Sequence, residues 1–243
     1  MMPTLSVVIP CRNDDAALQR CLASLARQSL PPMEVIVVDN ACSDNSAGTA
    51  ARYGSIVVVE SRVSIGAAAA AGYDAARGQI IVRCDADSRP PSDWLARIAA
   101  HFAADPDLDA LTGPGVFYGI SRPRAAVAQA LYMTAYFLLM GAAMAHWPLF
   151  GSNMAMRRTL WCDVRNGVHR TDPQVHDDVD LSFLLGSRRI RCDPRLRVGI
   201  SPRALYGVSN AELRLHRALH TLRVHWQQES PGRRWQRRLQ RRS

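Results

Sequence analysis

Short runs of apolar, mostly β-branched residues alternate with helix-like stretches from the start of this 243-residue chain. The runs are Leu5 to Ile9, Glu34 to Asp39, Ser55 to Val59 and Ile80 to Val82. They are nearly continuous, as is typical of strands buried on both faces of a sheet. Their spacing of roughly 25 to 30 residues predicts an α/β fold in which a mostly parallel sheet carries helices on both faces.

Polar or turn-forming residues end three of these runs. Pro10 closes the first run, Asp39 and Asn40 end the second, and Asp85 and Asp87 follow the fourth. The carboxyl ends of parallel strands meet at one edge of a sheet, so we expect these residues to line one ligand crevice. Two carboxylates at this spacing can share a divalent cation that keeps positions open for phosphate oxygens. Ordinary turn chemistry is the alternative, because aspartate also caps turns and helices.

A second acidic cluster lies far along the chain, where Asp177, Asp178 and Asp180 precede a helical pattern that begins at Leu181. Aspartates at a helix start also act as caps and interact favourably with the helix dipole. A capped helix and a functional site therefore both remain open for this cluster.

Five motifs stand in a fixed order along the chain. They are Ser6 to Asn13, Val35 to Asp44, Asp85 to Asp87, Gly151 to Arg158 and Asp177 to Leu181. In this order and spacing they resemble the motifs of family-2 glycosyltransferases with the Rossmann-like GT-A fold, and the third is similar to that family's DXD metal motif. The resemblance extends from Leu5 to about Arg203.

The resemblance implies an inverting transferase of hexosyltransferase type, which moves a sugar from a nucleotide-diphosphate sugar donor to an acceptor hydroxyl. It implies a divalent cation, Mn²⁺ or Mg²⁺, held at Asp87 with Asp85 nearby, where the ion neutralises charge on the leaving diphosphate. By position in the motif, Asp178 is the general base that removes the proton of the acceptor hydroxyl. The acceptor is not identified, and lipid-linked and peptide acceptors are both candidates.

The remaining implied site residues fall into two groups. The donor-binding group is Pro10, Arg12, Asp14, Asp39, Asn40, Arg62 and Asp85. The acceptor-side group is Gly151, Asn153, Asp177 and Asp180. We expect a catalytic domain at 1–211, with a donor half at 1–118 and an acceptor half at 119–211. The charge distribution and the helical pattern separate from it a basic amphipathic tail at 212–243.

Two departures from the family pattern bear on the reaction. In this family an arginine-asparagine pair often follows the third strand, but here small residues within Ala67 to Ala71 replace it. The contact that the pair makes with the nucleotide is therefore either missing or supplied by Arg62 or Arg83. The QxxRW motif of processive synthases is absent from the sequence. Transfer of a single sugar is therefore expected.

Two segments suggest contact with a membrane surface. No charged residue lies between Arg124 and Arg157, and within this segment Ala125 to Trp147 is a largely apolar stretch of 23 residues. The stretch predicts either a buried helix or a helix with one face against a membrane or a lipid acceptor. The tail from Glu212 contains nine arginines against two glutamates. The predicted helix of this tail has an apolar stripe, which fits either contact with a membrane surface or docking on the domain. Nucleic-acid binding explains the tail less well, since no known nucleic-acid motif accompanies its arginines. The stripe consists of Leu215, Leu219, Leu222 and Trp226.

The six cysteines are scattered without metal-ligand spacing, which predicts free thiols in a reducing compartment. The first segment lacks a secretory pattern. We therefore expect a cytoplasmic protein, either free or peripheral at the inner face of the cell membrane. Two other functions stay open. One is a nucleotidyltransferase of related fold, although Cys11 to Asp14 lacks the glycines of the loop that such enzymes usually carry. The other is a non-catalytic domain that binds nucleotide or protein.

Overall fold

The computed structural model of the protein describes residues 2–205 and 208–240. Nine strands in the described residues form one seven-stranded sheet and a separate two-stranded sheet. The strands are β1 (Leu5–Cys11), β2 (Glu34–Asp39), β3 (Ile56–Val59), β4 (Ile80–Arg83), β5 (Ala110–Thr112), β6 (Gly115–Phe117), β7 (Met154–Arg157), β8 (Ile190–Cys192) and β9 (Val198–Ile200).

Nine α-helices in the same residues surround the sheets. They are α1 (Asp15–Leu25), α2 (Ser46–Arg52), α3 (Ile65–Ala75), α4 (Trp94–Ala104), α5 (Arg122–Met144), α6 (Arg158–Val164), α7 (Asp177–Leu185), α8 (Val208–Gln228) and α9 (Pro231–Gln240). One turn of 3₁₀ helix covers Pro202–Leu205. The six cysteines, all within the described residues, are free thiols.

The large sheet has the strand order β3-β2-β1-β4-β7-β5-β8. The strands β1 to β4 pair in parallel, which confirms the mostly parallel sheet predicted from the alternation of strands and helices. The strand β7 is antiparallel to both β4 and β5. The ends of β1, β2 and β4 therefore lie side by side at one edge.

Alternate residues of the central strands pack into two different cores. Val7 and Ile9 of β1 pack under α1 and α4, whereas Val8 between them packs under α3 and α7. Successive side chains of a strand point to opposite faces, so a strand covered on both faces needs an apolar residue at every position. This requirement explains the continuous apolar runs in the sequence.

The sequence predicts that Leu108 to Phe117 is a fifth strand with a break at Gly113-Pro114-Gly115, and the structure divides the segment at that break. It forms two strands, β5 and β6, which lie in different sheets. Gly113 lies between them, and a Cβ atom at this position would be 2.0 Å from the carbonyl oxygen of Leu196. The close approach of the Leu196 backbone turns the chain away from the large sheet, and β6 pairs with β9 instead.

The uncharged segment forms α5, which is half-buried. Met133 and Phe137 pack into a small apolar core with β6 and β9, whereas Leu131 and Leu138 on the other face are exposed. None of the helices in the described ranges combines the length and apolar character that crossing a bilayer requires.

The tail helix α8 begins at Val208, so the predicted domain boundary at 211/212 falls inside it. The predicted apolar stripe is not the docked face: Leu222 is buried, but Leu215 and Leu219 are exposed. Among the α8 side chains whose burial is described, the other two buried ones are polar, namely Thr221 and His225, and both have hydrogen-bond partners in or beside α7. Specific polar contacts, rather than the leucine stripe, therefore orient this helix.

Candidate active site

Two adjacent cavities lie at the carboxyl ends of the parallel strands. The larger, of about 380 Å³, is lined by four carboxylates and by basic and small residues. The carboxylates are Asp85, Asp87, Asp177 and Asp178. The smaller, of about 280 Å³, is lined by Pro10, Arg12 and Asn40 among others, and Ile65 at the start of α3 lines both cavities. The structure thus brings the two predicted acidic clusters together in one cleft.

The Asp85–Asp87 turn is held from both sides. The Asp85 amide donates to Ser88 Oγ at 3.1 Å, and the Ser88 amide donates back to the Asp85 carbonyl at 2.9 Å, which closes the turn after β4. The Asp85 carboxylate accepts hydrogen bonds from Arg83, at 3.3 Å, and from Ser152. Asp87 instead accepts from Arg203 at 2.8 Å.

The electrostatic environment of Asp87 favours a cation. Burial and the nearby charge of Asp85 raise the pKa of Asp87 above its usual value, although Arg203 acts in the opposite direction. A raised pKa means that the positive charge close to this carboxylate does not fully compensate its own charge and its loss of solvation. Carboxylate oxygens are hard ligands of the kind that Mg²⁺ and Mn²⁺ prefer, so the donor set fits a divalent cation.

Arg203 crosses the mouth of the cleft. Its guanidinium pairs with Asp14 on one side and with Asp87 on the other, while the side chain is about three-fifths exposed. Asp14 is therefore held at the rim by Arg203 and does not line either cavity. An exposed ion pair of this kind is weak, so the arginine can leave when a stronger cation or a phosphate binds.

Asp178 lies in the opposite wall at the start of α7 and is almost completely buried. Its Oδ2 accepts a hydrogen bond from the Gly151 amide at 2.8 Å and lies 3.2 Å from the Tyr136 hydroxyl. Its Oδ1 lies 2.7 Å from Nδ1 of His176, in the alignment of an ion pair rather than of a directed hydrogen bond.

The contacts of Asp178 stabilise its charge. Burial alone would raise the pKa of Asp178, but His176, Arg83 and the Gly151 amide outweigh burial and lower the pKa to about 2. Burial likewise lowers the pKa of His176, but the charges of Asp178 and Asp177 outweigh it and raise the pKa. Asp178 is therefore ionised at neutral pH although it is shielded from water.

Arg83 connects the two walls of the cleft. It is the last residue of β4, is fully buried, and pairs with Asp85 on its own strand end and with Asp177 on α7. Its Nη1 also lies 3.4 Å from the Tyr73 hydroxyl. A buried cation with several partners fixes their relative positions, because the loss of any one leaves charge unpaired.

Gly151 is required by the same arrangement. A Cβ atom at this position would lie 3.1 Å from both the Arg83 guanidinium and Asp178 Oδ2. The missing side chain lets the Gly151 amide reach the carboxylate.

Several predicted site residues lie outside the cleft. The Asn153 side chain is fully buried and binds the Trp94 indole and the carbonyls of Pro114 and Leu196. Asp180 lies between His169 and His225, with a distance of 2.7 Å from its Oδ1 to a ring nitrogen of each. These two side chains support the walls of the cleft without lining it.

Two residues of the predicted donor-binding group, Arg62 and Asp39, also lie outside the two cavities. Arg62 pairs with Glu60 and does not line either cavity. Asp39 accepts a hydrogen bond from the Cys42 amide and shapes the turn after β2.

Three residues in or directly behind the walls of the cleft were not assigned a role from the sequence. Tyr136 lies in the uncharged segment, and Arg203 is one of 30 arginines, so nothing local distinguishes either one. His176 immediately precedes the acidic motif, and this position could have indicated that His176 contacts its carboxylates. All three contact a carboxylate of the cleft.

Comparison with proteins of known sequence identifies relatives over part of the chain. An uncharacterized glycosyltransferase of Mycobacterium bovis is 36% identical over 109 residues, which are 45% of this chain and 47% of the relative. Glycosyltransferase AglE of Haloferax volcanii is 30% identical over 104 residues, which are 40% of this chain and 34% of AglE. The matched region thus spans about half or less of these curated relatives.

Solved structures share the fold. A mannosyltransferase of Pyrobaculum calidifontis in complex with GDP-Man and Mn²⁺ superposes with a TM-score of 0.71 at 21% identity, over 97% of this chain and 68% of that one. Glucosyl-3-phosphoglycerate synthase of Mycobacterium tuberculosis with Mn²⁺, UDP and phosphoglyceric acid gives a TM-score of 0.62 at 20% identity, over 92% and 78% of the two chains.

The family model described as glycosyl transferase family 2 matches residues 6–162, well over half of the chain. The matched residues run from β1 through β7 and contain the Asp85–Asp87 turn and Gly151. Together with the mostly parallel sheet and the superposed structures, this match shows that the chain belongs to glycosyl transferase family 2 and has the GT-A fold.

Proposed function

We propose that the protein is an inverting, metal-dependent glycosyltransferase that moves one sugar from a nucleotide-diphosphate sugar to an acceptor hydroxyl. The observation that carries the proposal is that two different kinds of carboxylate lie in one cleft. Asp87, in the turn after β4, lacks full compensation of its charge, whereas the buried Asp178 is ionised. The first arrangement suits a cation with a diphosphate, and the second suits a base.

The donor side of the cleft is suited to a nucleotide. The cavity lined by Pro10, Arg12 and Asn40 offers an apolar wall together with a cation and an amide, and Ile65 joins it to the acidic cavity. A nucleoside in the first cavity would direct its diphosphate toward Asp85 and Asp87. Asp87, with Asp85, would hold Mn²⁺ or Mg²⁺, which supplies charge neutralisation for the leaving diphosphate.

Asp178 is suited to remove the proton of the acceptor hydroxyl. Its Oδ2 accepts a hydrogen bond from the Gly151 amide, whereas Oδ1 is buried beside Nδ1 of His176 and has no directed hydrogen bond from the described residues. His176 and Arg83 keep the carboxylate ionised until the hydroxyl attacks. Direct attack by the deprotonated hydroxyl, without a covalent sugar–enzyme intermediate, inverts the anomeric carbon.

Binding to a panel of UDP- and GDP-sugars, measured by calorimetric titration with Mn²⁺ and again with a chelator, tests the proposal. We expect at least one nucleotide sugar to bind, and to bind more tightly when Mn²⁺ is present. The configuration of the transferred sugar, read by proton NMR once an acceptor is found, tests inversion. Failure of every nucleotide sugar to bind, with or without metal, would contradict the proposed function.

A further inference from the structure

A third cavity, of about 290 Å³, lies at the end of α7 opposite to Asp178. It is enclosed by the carboxyl-terminal ends of α5 and α7, the start of β8 and one side of α9. Its charged lining consists of five arginines, and none of the described residues that line it is acidic. The arginines are Arg188, Arg189, Arg234, Arg237 and Arg238.

The described carboxylates are shared unevenly among these arginines. Arg188 and Arg189 pair with Asp163 and Asp105 on the body of the domain. Arg234 and Arg237, by contrast, share the single carboxylate of Glu229. The helix α9 itself carries four arginines and no acidic residue over its ten positions. This side of the cavity therefore has an excess of positive charge that suits a phosphate.

An apolar surface adjoins the cavity. The outward face of α5 exposes more than three-fifths of each of four large apolar side chains. They are Val127, Leu131, Leu138 and Leu139. No charged residue lies between Val127 and Leu139, and the clearly polar members of this stretch are Gln129 and Thr134. An exposed face that carries four large apolar side chains marks a surface that meets something other than water.

The helix α9 joins the apolar face to the arginine cavity. Trp235 donates from its indole nitrogen to the Ala142 carbonyl at 2.8 Å, and Ala142 lies one turn beyond Leu138 on the exposed face of α5. Trp235 and Trp147 both stay about two-fifths exposed at this end. Exposed tryptophans beside an apolar face and arginines are typical of a surface at the boundary between water and lipid.

We propose that the exposed face of α5 and the arginine cavity together form a docking surface for a bilayer that contains anionic phospholipids. The apolar side chains enter the boundary between headgroups and acyl chains, and the cavity binds the phosphate of one headgroup. A second copy of the chain fits less well, because an isologous contact through this face would bring two arginine-rich α9 helices together. This inference does not depend on which sugar or acceptor the cleft uses.

Flotation of the full chain with vesicles tests the proposal. We expect binding to phosphatidylcholine vesicles that contain phosphatidylglycerol, weaker binding to phosphatidylcholine alone, and a decrease with rising salt. The double variant Arg237→Gln/Arg238→Gln should reduce the partition coefficient about fivefold for each arginine removed. Leu131→Ser/Leu138→Ser should reduce it by about tenfold or more, because two large apolar contacts are lost.

The control variant is Arg20→Gln, an exposed arginine on α1, which should bind vesicles as the wild type does. Circular dichroism of each variant shows that loss of binding is not loss of folding. Two outcomes would overturn the proposal. One is the absence of vesicle binding at low salt, and the other is binding that is indifferent to lipid charge and to the arginine variants. If vesicle binding is absent, thermal stabilisation by inorganic phosphate would assign the cavity to a soluble phosphate, and a dimer that the leucine variants dissociate would assign the face to a second copy.

Discussion

Asp87 and Asp178 line the same cleft, yet the protein shifts their pKa values in opposite directions. Burial and Asp85 raise the pKa of Asp87, and Arg203 is its ion-pair partner at the exposed mouth. Asp178 is more deeply buried, and its pKa falls to about 2 because His176, Arg83 and the Gly151 amide surround it. Depth of burial therefore does not decide the charge of a carboxylate here; the partners that the fold supplies do.

The difference separates two roles. A carboxylate that lacks full compensation gains most from a ligand that brings positive charge, as a metal ion does. A carboxylate whose charge the protein already compensates needs no such ligand and stays ionised to receive a proton. Variants that exchange or remove these partners should therefore affect binding and turnover differently.

The largest effect is expected for Asp178→Asn. Asparagine occupies nearly the same space but cannot take a proton, so kcat should fall about a thousandfold, as for loss of a general base. The measurement is the rate of nucleoside diphosphate release at saturating donor and acceptor. Asp172→Asn, which alters an aspartate paired with His220 outside the cleft, is the control and should change kcat less than about twofold. Turnover retained in Asp178→Asn would transfer the role of base to Asp177 or His176.

The second effect is a loss of the response to metal in Asp87→Asn. We expect turnover to fall by about a hundredfold, since a bound cation supplies several kcal/mol of charge stabilisation, and added Mn²⁺ should no longer raise the rate. Turnover measured against Mn²⁺ concentration checks this. A variant that keeps the wild-type dependence on Mn²⁺ would show that Asp87 is not a ligand.

A smaller effect is expected for Gly151→Ala. The added methyl group would lie 3.1 Å from both Arg83 and Asp178, so one of them must move. Overpacking of this kind costs about 1 to 3 kcal/mol of unfolding free energy, and displacement of the base should lower kcat about tenfold. Urea unfolding and turnover measure the two effects. Gly232→Ala, at a position where an added Cβ atom meets nothing within 4 Å, is the control and should change neither quantity; equal losses in both variants would remove the special role of Gly151.

The smallest effect is a shift of the pH profile in His176→Asn. Without the imidazolium, the pKa of Asp178 rises from about 2 toward or above its ordinary value, so the acid limb of kcat/KM should move to higher pH. The folded protein raises the pKa of His176, so its pairing contributes stability while His176 is protonated and loses that contribution as pH rises through the raised pKa. The Tm difference between wild type and variant should therefore shrink at alkaline pH. An unchanged acid limb would show that His176 does not control Asp178.

The convergence of the residues after β1, β2 and β4 could be predicted from the sequence because its signals are local, although Asp14, Asp39 and Arg62 do not line the cavities. The runs that form β1, β2 and β4 are continuous in sequence, and the residues that follow them reach the same edge through the parallel pairing alone. The acceptor side depends on contacts between distant segments. Arg83 meets Asp177 across 94 positions, and Tyr136 meets Asp178 across 42, and no periodicity encodes either pairing.

The tail illustrates the same limit. Its leucine stripe predicts an apolar face that either docks on the domain or meets a membrane surface. In α8, Leu215 and Leu219 are exposed, whereas Thr221 and His225 are buried because the His176 amide and Asp180 provide their hydrogen bonds. A polar side chain prefers the interior when its partner is there, and the partner is not visible from the helix alone. The predicted division of residues 1–211 into donor and acceptor halves stays a prediction.

Calorimetric titration of Asp87→Asn and Asp178→Asn with the preferred nucleotide, with and without Mn²⁺, tests the division of roles most directly. We predict that Asp178→Asn binds within about threefold of the wild type and keeps the effect of Mn²⁺, because its charge does not serve the donor. Asp87→Asn should lose the Mn²⁺-dependent part of the affinity. The opposite pattern, in which Asp178→Asn loses the metal effect and Asp87→Asn retains it, would contradict the assignment of cation and base to these two carboxylates.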